Sequence, residues 1–176
     1  MTDLRYPIGP FAYDGEMTDA GRADCVARIA AAPGRLRAAV DGLNDAQLDT
    51  PYRPGGWTVR QVIHHVPDSH INAYTRIRLA LTEDTPTIKP YEEARWAELP
   101  DARTLPPEIS LRLLEAVHGR WVPLLRRLGA AEGARACRHP EHGRLMTVDE
   151  LIALYAWHGD HHTAHVTTLR DRMGWR

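Results

Sequence analysis

Histidine is the residue with the most chemistry to offer in this sequence, and its placement is uneven. Of the ten histidines, His64, His65 and His70 fall in one short window and His158, His161, His162 and His165 in another; His118, His139 and His142 stand apart. An even scatter would put about one histidine in those two windows, so the clustering points to metal binding or proton chemistry. Imidazoles one helical turn apart can reach a single ion, and two pairs have that spacing, His158 with His162 and His161 with His165. On a helix turning about 100° per residue, all four lie within an arc of about 100° shared with Leu151, Leu154 and Leu169. Imidazoles on a core-facing stripe must be hydrogen-bonded, neutral or ligated, because an unsatisfied buried polar group costs roughly 1–3 kcal/mol. The spacing does not choose between the two pairs.

A further ligand is expected from the first window. His65 lies beside the stripe of Val59, Val62, Val66 and Ala73, whereas His64, with Arg60 and Asp68 one turn away, reads as exposed. The reading therefore favours His65. Three histidines without a thiolate leave a coordination position open, the pattern of a catalytic metal site in which bound water becomes hydroxide or a substrate thiol becomes thiolate. Imidazole suits zinc, nickel, copper and iron, so the residues do not select the metal. Of the histidines left over from such a site, His161 and His165 would pack against the ligands or handle protons, while His64 and His70 read as solvated or hydrogen-bonded structural residues. Asp68, Ser69 and His70 are consecutive and diverge on a helix, which excludes a catalytic triad, although Asp68 and Ser69 could flank the metal. Arg60, Arg76 and Arg120 could each pair with an anionic substrate group. Trp57, Trp121 and Trp157 read as packing residues, with Trp157 a possible pocket wall, and Cys25 reads as a buried small residue.

The elements that must position these residues are helices. Val26, Ile29, Leu36, Val40 and Leu43 recur at helical intervals between Thr18 and about Leu43, where Pro33-Gly34 is expected to bend or break the helix. A second helix begins at Thr58 and runs towards Leu81, opened by a Thr58/Gln61 capping box and a Trp57/Val62 staple. A third spans Ser110 to Leu128, kinked at Pro123. A fourth runs from Val148 to about Arg172, with Thr147/Glu150 as its capping box and Met146/Leu151 as its staple. No convincing strand appears. Four amphipathic helices predict an all-α four-helix bundle, and the link from Leu81 to Ser110 is long enough for a crossover or a lid.

Composition bounds the rest. The 176 residues, 43% of them hydrophobic, make one domain spanning 1–176. With 22 Lys and Arg against 23 Asp and Glu, no cationic surplus supports nucleic-acid binding. No signal-peptide pattern or long apolar run appears, so a cytoplasmic protein without membrane association is expected. Cys25 and Cys137 lack any spacing that suggests a disulfide framework or zinc finger.

The stretches GGWTVRQVIHHVPDSHINAY, LTEDTPTIKPYEEARWAELPD, HGRWVPLLRRL and LYAWHGDHHTAH resemble the YfiT group of the DinB/YfiT superfamily over nearly the whole chain. The resemblance implies a four-helix bundle, one divalent ion per chain such as zinc or nickel, and a homodimer. It also implies ligation by one histidine of the second helix and an HxxxH pair of the fourth, which here are His65, His158 and His162. Pro67, just after His65, departs from that pattern. Members of the superfamily are described as metal-dependent hydrolases, and related branches transfer low-molecular-weight thiols such as bacillithiol. The expected activity is therefore attack of metal-activated water on a small-molecule substrate. The alternatives are thiol S-transfer at the same metal and a non-catalytic metal-binding stress-response protein.

Overall fold

The computed structural model describes residues 3–175 except His142. In chain order the elements are α1 (Asp19–Val40), α2 (Asp45–Leu48), α3 (Val59–Thr82), α4 (Glu93–Trp96), α5 (Pro100–Thr104), α6 (Pro107–Leu125), α7 (Ala130–Gly133), β1 (Ala136–His139), β2 (Arg144–Thr147) and α8 (Val148–Met173). The long helices α1, α3, α6 and α8 form the predicted bundle, with ends close to the expected ones.

Local chemistry sets those ends. Thr58 caps α3 through the backbone N–H of Gln61, whose side chain returns to the Thr58 N–H. The corresponding box on α8 is only half made: Thr147 accepts from the Glu150 N–H, but the Glu150 carboxylate turns to Arg144. Pro33 does not break α1, which runs unbroken to Val40. It does remove the N–H that would bond to the Ile29 carbonyl one turn earlier. Pro123 lies in the last turn of α6, which stops at Leu125 rather than Leu128.

The helices are not arranged up-down-up-down. Arg22 at the start of α1 meets Asp149 at the start of α8, and Arg170 near the end of α8 donates to the carbonyls of Ala39 and Asp41, so α1 and α8 run parallel. Likewise His64 of α3 meets Ser110 of α6 and His70 meets His118, so α3 and α6 run parallel to each other. Parallel neighbours cannot be joined by a tight turn, which is why the chain needs the long return between α3 and α6.

That return packs against a hairpin the sequence did not announce. β1 and β2 pair antiparallel, Cys137 opposite Met146, and Thr87 of the return bridges to Arg138 in parallel. The strands ACRH and RLMT are too short for an alternating pattern to stand out. Two apolar clusters fill the bundle, one around Ile29, Ile77, Trp121 and Ile152, the other around Leu36, Ile63, Leu114 and Leu169. Cys137 is buried and Cys25 is half-buried; both are free thiols.

Candidate metal centre

His65, His158 and His162 each offer a ring nitrogen, and the three nitrogens lie within 4.8 Å of one another. Nε2 of His65 is 3.3 Å from Nε2 of His158. Two nitrogens on one tetrahedral zinc ion at 2.0–2.1 Å stand about 3.3 Å apart, so this pair is already at a ligating separation. Burial pulls the His65 imidazole down to about 4 and holds His158 and His162 well below the ordinary value, with neighbouring imidazoles adding to the effect. Neutral rings with free lone pairs are what a divalent cation requires. The donor set fits a divalent ion.

The trio forms one wall of a cavity of about 380 Å³. Trp57 packs on His65 with ring centroids 4.7 Å apart and closes one side. Ser69 and Tyr155 line another, with the Ser69 hydroxyl donating to the Tyr155 oxygen at 3.3 Å. Pro90, Tyr91 and Glu93 of the long return, His139 at the end of β1 and Glu141 of the hairpin turn complete the lining. Burial pushes the Tyr91 and Tyr155 hydroxyls up, so both stay protonated.

Of the three arginines, Arg76 is the one that lines this cavity. Its Nη2 donates to the Lys89 carbonyl, its guanidinium also faces the Tyr155 hydroxyl, and among the described residues its buried Nε has no acceptor. Arg60 is engaged by Asp45 and Asp49, and Arg120 lies over the Tyr74 ring.

The other clustered histidines are sorted by their neighbours. His161 and His165 line a second cavity, of about 360 Å³, together with Arg5, Tyr6, Tyr52 and Arg53. His165 stacks on Tyr52 at 4.0 Å and reaches the Arg5 carbonyl, while His161 stacks on Trp157 at 4.2 Å. Trp157 is therefore not a wall of the metal-side cavity; Trp57 is. His64 is buried, contrary to its exposed reading, because Ser110 and the Leu105 carbonyl take its two ring nitrogens. Asp68 does not line the cavity, and Ser69 does. His70, expected as a solvated or hydrogen-bonded structural residue, is fully buried, with one ring nitrogen 3.2 Å from His158 and the other 2.8 Å from His118, a contact that nothing in the sequence marks. His142 lies outside the described residues.

The profile of the DinB superfamily matches residues 28–166. The chain belongs to the DinB superfamily. Within it, this member is 53% identical over 175 residues to a protein of Bacillus mycoides (strain KBAB4) named "Putative metal-dependent hydrolase", a match covering 99% of this chain and 100% of the relative. A Bacillus cereus (strain 03BB102) protein of the same name matches at 53% with the same coverage. Among solved structures, YfiT from Bacillus subtilis, described as "a probable metal-dependent hydrolase with an unusual four-helix bundle topology", superimposes with a TM-score of 0.96. It shares 46% identity, covering 98% of this chain and 99% of its own. The parallel pairing of α1 with α8 and of α3 with α6 gives this DinB chain's bundle its departure from simple alternation.

Proposed function

We propose that this DinB-superfamily chain is a metal-dependent hydrolase of a small molecule, with the ion held by His65, His158 and His162. The observation that carries the reading is the convergence of three imidazole nitrogens, within 4.8 Å of one another, on one wall of a cavity. A divalent ion there, zinc or nickel, supplies Lewis acidity and lowers the pKa of water near neutral pH.

The chain's own residues do the rest. Arg76, with its unpartnered Nε, binds an anionic group or developing oxyanion of the substrate. The Tyr91 and Tyr155 hydroxyls, kept protonated by burial, donate hydrogen bonds into the same space. Trp57 shields the imidazole wall from bulk water on one side. His161 and His165 face the neighbouring cavity, so their part is to hold His162 and the amino-terminal segment rather than to touch substrate.

The test is a panel of small esters and amides assayed with metal-quantified protein, with and without a bacillithiol-type thiol and an electrophile. Hydrolysis that disappears with a chelator, returns with zinc or nickel and is lost in His158→Ala supports the reading. Turnover only when thiol is present replaces it with S-transfer, and no turnover in either arm leaves a binding protein.

A further inference from the structure

We propose that two imidazole chains, each ending on a backbone carbonyl, fix the tautomers of His158 and His162 so that both keep Nε2 unprotonated for the metal. The first chain draws one member from every helix of the bundle. His118 Nδ1 on α6 lies 2.8 Å from the carbonyl oxygen of Ile29 on α1. A carbonyl only accepts, so His118 carries its proton on Nδ1, and in the neutral ring Nε2 is left as an acceptor. His70 Nδ1, 2.8 Å away on α3, must then donate to that Nε2. His70 Nε2 becomes an acceptor in turn and takes the proton of His158 Nδ1 on α8 at 3.2 Å. Each bond dictates the next, and the last leaves the lone pair of His158 on Nε2, the atom that faces His65. The second chain repeats the logic in two steps. The Arg5 carbonyl accepts from His165 Nε2 at 3.1 Å, so His165 Nδ1 accepts from His162 Nδ1 at 3.4 Å and frees His162 Nε2.

The carbonyl that starts the longer chain is available for a reason written in the sequence. Ile29 is four residues before Pro33, and proline has no N–H to offer it, so a mid-helix carbonyl that would be committed to its own helix is left to accept from His118. The alternation of donor and acceptor belongs to neutral rings, and the intervening ones lie away from water: His70 is fully buried and His118 is 3% exposed. Hydrogen bonds to the remote nitrogen of a ligating histidine commonly set its tautomer and orientation. Here the remote bond is passed through imidazoles instead of ending on a carboxylate. His118, His70 and His165 are positioning residues on this view.

The consequence for metal affinity rests on the ligand set proposed above; the tautomers themselves do not. Full-length, metal-free protein labelled with ¹⁵N-histidine, measured by long-range proton–nitrogen correlation near pH 7.5, reads each neutral ring directly. His158 and His162 are expected as Nδ1–H forms, the minor tautomer of free histidine, and either ring found as Nε2–H overturns the proposal for its chain. His118→Leu removes both the donor and the acceptor and is expected to release His158 towards Nε2–H and weaken Zn²⁺ binding by about 10- to 100-fold. His118→Gln, which carries a donor and an acceptor on one side chain, is expected to restore most of both. A folded His118→Leu protein with unchanged tautomer and unchanged Zn²⁺ affinity overturns the longer chain. If His118→Leu does not fold, the wild-type tautomers still decide. Wild-type protein that shows both Nδ1–H rings but binds no Zn²⁺ supports the tautomer assignment and overturns the metal reading separately.

Discussion

His65, His158 and His162 converge, but they are held differently. His65 leans on the Trp57 ring, while the two α8 histidines are backed by further imidazoles. Replacing His65 or His162 by alanine leaves two donors, and metal content measured by elemental analysis after dialysis should fall from about one ion per chain towards none. Unchanged content in either variant would remove that residue from the ligand set. Arg76→Met keeps an unbranched aliphatic stem and removes the guanidinium with its charge and donors. It should lower kcat/KM about 10- to 100-fold for substrates with an anionic group and much less for neutral ones, as steady-state kinetics on matched esters would show. The sequence made the trio legible through the i,i+4 spacing and the apolar stripe, helped by the family resemblance in choosing the pair. It did not reveal His118, an isolated histidine whose partners, the Ile29 carbonyl and the His70 ring, come from other helices. The burial of His64 is not legible locally, because its covering groups, Ser110 and the Leu105 carbonyl, come from more than 40 residues away.

The helices carry these side chains only as well as their packing holds them. Arg22 of α1 clamps Asp149 in the first turn of α8 with two bonds, at 2.7 and 2.9 Å, and both groups are buried. Gly133 of α7 lies so close that an added Cβ would fall 2.4 Å from the Asp149 carboxylate. Gly133→Ala should therefore displace the carboxylate and lower stability by about 3 kcal/mol, the scale of breaking a buried ion pair, in urea titrations. A Gly133→Ala/Asp149→Ala double variant no less stable than Asp149→Ala alone would show that both changes act through one contact. Farther along α8, Gly159 lets α1 approach, since a Cβ there would stand 3.0 Å from that of Ala32. Helix ends were readable because Thr58, Gln61 and Thr147 are local signals. The parallel pairing was not readable, because it depends on contacts such as Arg22 with Asp149 between residues 127 apart. The hairpin went unseen because its four-residue strands borrow their stability from the return segment at Thr87 and Ile88.

Taken as a whole, the molecule stores many neutral imidazoles in its interior, and that sets its response to acid. Burial lowers His118 to about 4, and His65, His161 and His165 to about 4 as well, from the ordinary 6.5. Between those values the unfolded chain binds protons that the folded chain refuses, so unfolding is favoured by acid. Metal-free protein should have its full histidine contribution above about pH 6.5 and lose it progressively as pH falls towards 4, seen as a falling urea midpoint. Saturating zinc near pH 7.5 should raise that midpoint, because it binds only the folded state. The amino-terminal segment adds a last consequence. Residues 3–18 contain no helix or strand, yet the Arg5 carbonyl holds His165 and the Gly9 carbonyl accepts from Trp157 Nε1 at 3.1 Å. Coupling between two sites is reciprocal: if the seated segment helps His162 receive an ion, the ion must in equal measure help the segment stay seated. The peptide bond after Arg5, whose side chain is 65% exposed, is thus a reporter of site occupancy, and trypsin should cut it more slowly in the presence of zinc.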